Sequence, residues 1–380
     1  MLIALVIVCV FFLAYSNGAN DNFKGVATLY GSNTASYRTA LIWTSAATLL
    51  GSIVSITFAT SLAHTFSGAG LVPDELAGTI PFLLAVGAAG AVTILLATIL
   101  GMPTSTTHAL VGAMVGAGIV NGFGSANIVN TTTLATKFAQ PLLISPVVAV
   151  GGAATLYLIF TSLRKRWGIE RDTCLCIGEC APQPVTISLD GTAILSQTGT
   201  TIHISRDDAC REMYSGRVAG VNAQMCVDSV HYASSAAVSF ARAVNDTPKI
   251  AIILLATGAL GAPVWSLGLV TLAMVAGGLI NSRKVAETMS KHITSLNPGQ
   301  GLTANLTTAA LVLVASQFGL PVSTTHVSCG SIFGIGLVNG KRDWKTIGQI
   351  GLTWLTTLPL GMAIGAGVFY LVQHWASAAS

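Results

Sequence analysis

Pro103-Thr104-Ser105-Thr106-Thr107-His108, in the first half of this chain, returns in the second as Pro321-Val322-Ser323-Thr324-Thr325-His326. The likeness continues in register, with Gly112, Gly116, Gly118, Val120, Asn121 and Gly122 reappearing as Gly330, Gly334, Gly336, Val338, Asn339 and Gly340. Upstream, Asn20-Asp21-Asn22-Phe23-Lys24 is answered by Asn245-Asp246-Thr247-Pro248-Lys249, and both motifs come in the same order. A repeat of this extent sets an architecture before any site is argued. Two units of like plan, residues 1–163 and 229–380, flank a dissimilar insert at residues 164–228.

Around these motifs the chain is apolar. Of its 380 residues 52% are hydrophobic and 8% charged, which is too little polar surface to coat a soluble globule. Residues 39–73, 76–136, 138–163, 250–282, 292–340 and 346–380 contain no Asp, Glu, Lys or Arg, and each block can cover a hydrocarbon core. Runs such as Leu41 to Phe58 and Ile80 to Leu100 are apolar on every helical face, whereas a membrane β-barrel would alternate. The expected fold is an all-α polytopic membrane protein of about ten to twelve segments. Each half opens with a segment leading to its Asn-Asp pair (2–19; 229–244). Further spans follow (24–34 and 38–62 against 249–281; 79–100 against 302–319), and a long run closes each half (134–163; 345–375). The first sixteen residues lack a basic leader and a small-residue cleavage site, so they read as a retained span. An odd number of crossings per half would invert one half relative to the other.

The insert alone looks soluble. Net charge is +4, from 18 basic and 14 acidic residues, of which 7 and 8 fall between Arg164 and Asp228. Arg164-Lys165-Arg166 follows an apolar run directly and Arg171 comes soon after, which by the positive-inside tendency places the insert in the cytoplasm. There Cys174, Cys176, Cys180, Cys210 and Cys226 meet reducing conditions, where structural disulfides are uncommon. Their spacing lacks the paired Cys-x2-Cys units of common zinc sites, and free thiols in a tethering loop are the plainer reading. Val185 to Leu189 and Thr201 to Ser205 read as short strands, with turn formers at Asp190-Gly191 and Thr198-Gly199-Thr200.

Chemistry concentrates in the repeated motifs. An intramembrane carboxylate costs roughly 2.5 to 3.5 kcal/mol on insertion scales, so Asp21 and Asp246 mark an ion path. With Asn20 and Asn245 beside them they offer hard oxygen ligands for a small cation. Lys24 and Lys249, one turn on, can equally well neutralise them. The two Pro-x-Ser-Thr-Thr-His segments read as helix starts. Free backbone N–H groups and the hydroxyls of Ser105, Thr106, Thr107, Ser323, Thr324 and Thr325 would then form a cradle for a tetrahedral oxyanion. The same hydroxyls can instead bond the carbonyls of the preceding turn or let helices pack closely. His108 and His326 are accessory candidates, for relaying a proton or bonding the substrate. Gly116-Ala117-Gly118 and Gly334-Ile335-Gly336 fit close helix packing better than nucleotide binding. Nothing matches a phosphate loop, a nucleophile elbow or a zinc helix, so neither an enzyme nor an ATP-driven pump is expected, and no cofactor or nucleic-acid partner.

Ser16-Asn17-Gly18-Ala19-Asn20-Asp21-Asn22-Phe23-Lys24-Gly25, Phe240-Ala241-Arg242-Ala243-Val244-Asn245-Asp246-Thr247-Pro248-Lys249 and the two Pro-x-Ser-Thr-Thr-His segments resemble the PiT family of inorganic phosphate transporters. The resemblance implies symport of phosphate with Na+ or H+ across the cytoplasmic membrane. It implies an inverted-repeat fold with broken or re-entrant half-helices, working as a homodimer in the lipid bilayer. Carried over by position, Asn20, Asp21, Asn245 and Asp246 handle cation and phosphate, and Ser105 to Thr107 with Ser323 to Thr325 face the substrate. Ala243-Val244 and Arg242 depart from the usual second signature, and the Cys-bearing insert lies outside the pattern. Sulfate, another tetrahedral oxyanion, would suit the same cradle. A passive channel, or a receptor or enzyme seated in the insert and anchored by the spans, are the readings from other classes.

Overall fold

The structure is a computed structural model, and it describes residues 2–58, 60–122, 129–170, 172–179, 184–187, 193–195, 200–206, 221–259 and 263–379. The apolar run at the start folds as a helix, Leu2–Asp21, whose last six residues, Ser16 to Asp21, are all buried. The chain then tightens into a 3-10 turn, Asn22–Gly25, and a short helix, Ala27–Gly31. In the second half the matching motif does not break the chain. One helix, Ala223–Leu255, runs on through Asn245 and Asp246 with Pro248 inside it. The opening segment expected to end near residue 244 is therefore part of a longer helix. Where the first half has Phe23-Lys24-Gly25, the second has Pro248-Lys249-Ile250; a Cβ added to Gly25 would stand 2.1 Å from the Ser239 hydroxyl oxygen, so the first half needs glycine there for close packing.

Helices Tyr37–Phe58, Ile80–Ile99, Gln140–Arg166, Pro263–Asn281, Pro298–Gln317 and Trp344–Ala379 make up most of the rest. Among the described residues five helical stretches are long and apolar enough to cross a membrane: Leu2–Gly25, Ile80–Ile99, Thr131–Arg166, Val264–Asn281 and Trp344–Trp375. Others are long but carry a buried polar face, which lowers their hydropathy. Pro298–Gln317 buries Gln300, Thr303, Asn305, Thr307, Thr308 and Ser316. Large apolar side chains face outward, with Leu50 62% exposed, Ile53 64% and Leu355 73%, while Asp21, Lys24, Arg242, Asp246 and Lys249 lie inside. That inversion of the soluble pattern is what a lipid solvent demands.

The two Pro-x-Ser-Thr-Thr-His segments each start a helix of 16 residues, Thr106–Asn121 and Thr324–Asn339. Each packs on the closing helix of the opposite half. A Cβ added to Gly116 would stand 2.1 Å from the Met362 carbonyl oxygen, and one on Gly334 would stand 2.3 Å from that of Val150. Only glycine permits backbones this close. The Ser105-led helix is thus seated against Trp344–Ala379, and the Ser323-led helix against Gln140–Arg166.

The chain divides into two compact units, Met1–Tyr157 with His231–Ser380, and Leu158–Val230. Within the second, Thr173–Glu179 is the middle strand of an antiparallel sheet, flanked by Thr200–Arg206 and Val221–Asn222. Pro184–Ile187 pairs with Ala193–Leu195 in a separate ribbon. Of the two strands anticipated from the sequence, residues 201–205 of one lie within Thr200–Arg206 and residues 185–187 of the other lie within Pro184–Ile187, and each has a different partner. Thr173-Cys174-Leu175-Cys176-Ile177 alternates small and apolar residues, and its cysteines drew attention away from that strand pattern. Cys180 and Cys210, residues 188–189 of the first anticipated strand, and the turns at 190–191 and 198–199 lie outside the described residues. Among the described residues no group of three or more His, Cys, Asp or Glu is placed to hold a metal.

Candidate functional site

The polar end of Leu2–Asp21 and the middle of Ala223–Leu255 bring Asn20, Asp21, Lys24, Asn245, Asp246 and Lys249 together with the two Ser-led helix starts, and all are buried. Ser105 and Ser323 cap those helices, their side-chain oxygens accepting from the backbone N–H of His108 at 3.2 Å and of His326 at 3.3 Å. Capping satisfies one free donor of each first turn and leaves the hydroxyl proton of each serine available.

Each lysine reaches across to the opposite half. The Lys24 ammonium donates to Asp21 Oδ1, to the Thr104 carbonyl at 3.0 Å and to Thr325 Oγ1. The Lys249 ammonium donates to Asn245 Oδ1, Asp246 Oδ1 at 3.3 Å, Thr107 Oγ1 at 3.0 Å and the Val322 carbonyl at 3.3 Å. Thr104 and Val322 hold equivalent places in the repeat, as do Thr107 and Thr325, so the two cages are one design used twice. The threonines complete the exchange, Thr325 donating to the Thr104 carbonyl and Thr107 to that of Val322 at 3.4 Å. Lys249 also lies 5.3 Å from the centre of the Phe66 ring, a favourable place for a cation.

The asparagines are anchors. Asn20 donates to Thr98 Oγ1 at 2.9 Å and to the Met102 carbonyl at 3.0 Å, and accepts from the Thr104 N–H at 2.9 Å, fixing the chain that leads into the first Ser-capped helix. Asn245 donates to Ser316, the repeat counterpart of Thr98, at 2.8 Å. Thr324 is buried beside its neighbours. His108 and His326 meet each other, ring centres 4.7 Å apart, and Trp354 stacks on His326 at 4.0 Å. Nδ1 of His108, Nε2 of His326 and Nε1 of Trp354 are buried without a hydrogen-bond partner.

Two residues stand at the centre without a role read from the sequence, Asn17 within the first signature and Arg242 as a departure from the second. Asn17 donates to Thr106 Oγ1 at 2.9 Å, Asp21 Oδ2 at 3.3 Å and Asp246 Oδ2 at 3.5 Å, tying both carboxylates to a helix start. Arg242 donates to Asn17 Oδ1 at 3.3 Å, Asn22 Oδ1 at 3.2 Å and Thr48 Oγ1 at 2.8 Å, and stands 4.0 Å from Asp246 Oδ2. Its Nε is buried without a partner. The signal was present: Asn17 and Arg242 both stand four residues before their Asp, so the repeat puts them in equivalent places and makes the arginine its largest asymmetry. With every group ionised, three cations, Lys24, Arg242 and Lys249, face two carboxylates, Asp21 and Asp246. So counted, the buried cluster holds one more basic than acidic side chain, beside two helix N-termini that add their own positive field.

Residues 17–365 match the phosphate transporter family. A Mycobacterium leprae protein named as a low-affinity inorganic phosphate transporter is 27% identical over 98% of this chain and 78% of its own length. A Pyrococcus furiosus protein named as a phosphate permease is 27% identical over 94% of this chain and 93% of its own. A solved structure of a sodium-dependent phosphate transporter shares the fold, with a TM-score of 0.74 at 22% identity, covering 98% of this chain and 99% of that one. Repeated motifs, apolar exterior and buried charge cluster thus belong to a multi-pass membrane protein that is no enzyme, and the chain is a member of the phosphate transporter family.

Proposed function

We propose that the chain carries inorganic phosphate across the cell membrane by secondary-active symport with a cation, Na+ or H+, through alternating access. The observation that carries this reading is the buried excess of basic over acidic side chains beside two helix starts, with the Arg242 Nε–H left without a partner, which suits an anion. Phosphate would take hydroxyl and backbone donors from Ser105, Thr106, Thr107, Ser323, Thr324 and Thr325, with Asn20 and Asn245 holding those segments in place. Asp21 and Asp246 are the coupling carboxylates, Lys24 and Lys249 sit between them and the substrate, and His108 with His326 is the accessory pair. The repeat supports two inverted halves with about ten to twelve membrane segments, the buried polar helices counting as segments that hydropathy misses. The family resemblance supports a homodimer, and the basic cluster after Leu163 supports a cytoplasmic insert.

Radiolabelled phosphate uptake into proteoliposomes under an imposed cation gradient tests this. Uptake should be concentrative, resist excess unlabelled sulfate, and fall in Asp21→Asn and Asp246→Asn. Uptake that only equilibrates would point to a channel, and block by sulfate would make sulfate the substrate. Normal cation-stimulated uptake in both variants would remove the carboxylates from the mechanism.

A further inference from the structure

We propose that Lys24 and Lys249 are tethered substitutes for coupling metal cations, so that phosphate binding to this chain does not require Na+. The proposal rests on the phosphate reading above and narrows its choice of cation.

Each carboxylate that the sequence offers to a metal ion is already met by an ammonium. Around Lys24 stand a carboxylate, a backbone carbonyl and a threonine hydroxyl; around Lys249 stand a carboxylate, an amide oxygen, a carbonyl and a hydroxyl. Carboxylate, carbonyl and hydroxyl oxygens are what a hard cation selects. Here they converge on a nitrogen that the chain itself supplies, and both lysines are almost wholly buried, at 2% and 0% exposure. A lysine serving only to neutralise its neighbouring Asp would need that one contact. These two also span the halves, each joining a backbone carbonyl in its own half to the hydroxyl at the equivalent place in the other.

Charge leads to the same conclusion. Three buried cations already outnumber two carboxylates, so a metal ion added with both lysines in place would enter an electropositive cage with its oxygens taken. Replacing both lysines with a neutral residue would leave two carboxylates against Arg242 alone, a deficit that two monovalent ions would reverse. A mobile Na+ makes anion binding conditional on its own arrival, whereas a tethered ammonium is always present. The proton is then the remaining coupling ion of the proposed symport.

The test uses the full-length chain in proteoliposomes, measuring tracer phosphate uptake at a fixed proton gradient with Na+ exchanged for choline. Wild-type uptake should stay within about twofold across the exchange, whereas Lys24→Asn/Lys249→Asn should lose about tenfold or more in choline and regain it with Na+, as expected of a normal coupling free energy. Wild-type uptake that collapses without Na+ would overturn the proposal, as would a folded double variant that stays Na+-independent. A second measurement stands apart from transport and from the fate of the variant. The melting temperature of the detergent-purified wild type should be equal in NaCl and choline chloride at matched ionic strength, and a Na+-specific rise would show a metal ion bound to the folded state and refute the substitution. If no gradient drives phosphate uptake, the phosphate reading fails, and the melting comparison still decides the role of the lysines.

Discussion

Replacing Arg242 with Met removes one buried cation while keeping most of the side-chain volume. The route from guanidinium to the first Ser-capped helix is short: Arg242 donates to Asn17 at 3.3 Å, and Asn17 donates to Thr106 at 2.9 Å. Allowing for the width of the Asn17 amide and one more hydrogen bond from Thr106 to its anion, the charge lies roughly 11 Å from that anion along this path, where an effective dielectric of about 20 gives about 1.5 kcal/mol of attraction. That corresponds to about tenfold in affinity. Salt should change little, because buried charges are weakly screened. Asp246 keeps Lys249 at 3.3 Å, so the variant does not strand a carboxylate. We expect the phosphate KM for uptake to rise about tenfold in Arg242→Met with Vmax changed far less, and Arg242→Lys to recover most of the loss. An unchanged KM in folded Arg242→Met would refute the electrostatic account. A loss in Arg242→Lys as large as in Arg242→Met would refute charge as its cause.

Gly116→Ala should destabilise by about 1–3 kcal/mol despite the better helix propensity of alanine, because the new methyl meets a backbone oxygen that no side-chain rotation can move; a melting temperature equal to wild type would contradict this packing. Ser105→Ala and Ser323→Ala should each lower stability by about 1 kcal/mol through loss of a helix cap, read from thermal unfolding in detergent. Asp343 lies just before Trp344–Ala379 and accepts from the Thr346 hydroxyl at 3.0 Å and the Lys345 and Thr346 amides at 2.9 and 3.4 Å. The Thr346 hydroxyl first, then the Thr346 and Lys345 amides, hold its pKa below the usual carboxylate range. Its contribution is therefore complete above about pH 3.9 and is lost as pH falls through the depressed pKa. The melting-temperature gap between wild type and Asp343→Asn should be present at neutral pH and close in acid, and a gap that persists in acid would contradict the assignment.

Class and repeat were legible because lipid imposes its demands on composition, and because two motifs of several residues each recur in order. The same repeat paired the Asn-Asp signatures with the Ser-led helix starts as candidate partners, and these segments do meet in the fold. The crossing of the lysines was not legible, since a one-turn spacing from each Asp predicts only the local contact and says nothing of the hydroxyl that the other half brings. Arg242 departs from the signature pattern, and its equivalence to Asn17 marks a place where the two halves differ in charge. The unbroken helix through Asn245 was not legible either, because matched motifs do not fix whether the backbone through them is continuous. In the insert, a residue type with vivid chemistry hid an ordinary strand at Thr173–Glu179.

The seating of each Ser-led helix on the closing helix of the opposite half bears on how the protein is made. Thr106–Asn121 leaves the ribosome long before Trp344–Ala379 exists, so its glycine-lined face has no mate through most of synthesis, and a chain cut short before Trp344 never supplies one. Domains commonly fold in order of synthesis, whereas here the Ser-led helix of the first repeat waits for a helix that belongs to the second. A premature stop before Trp344 should therefore leave membrane quality control an unfinished first half to recognise.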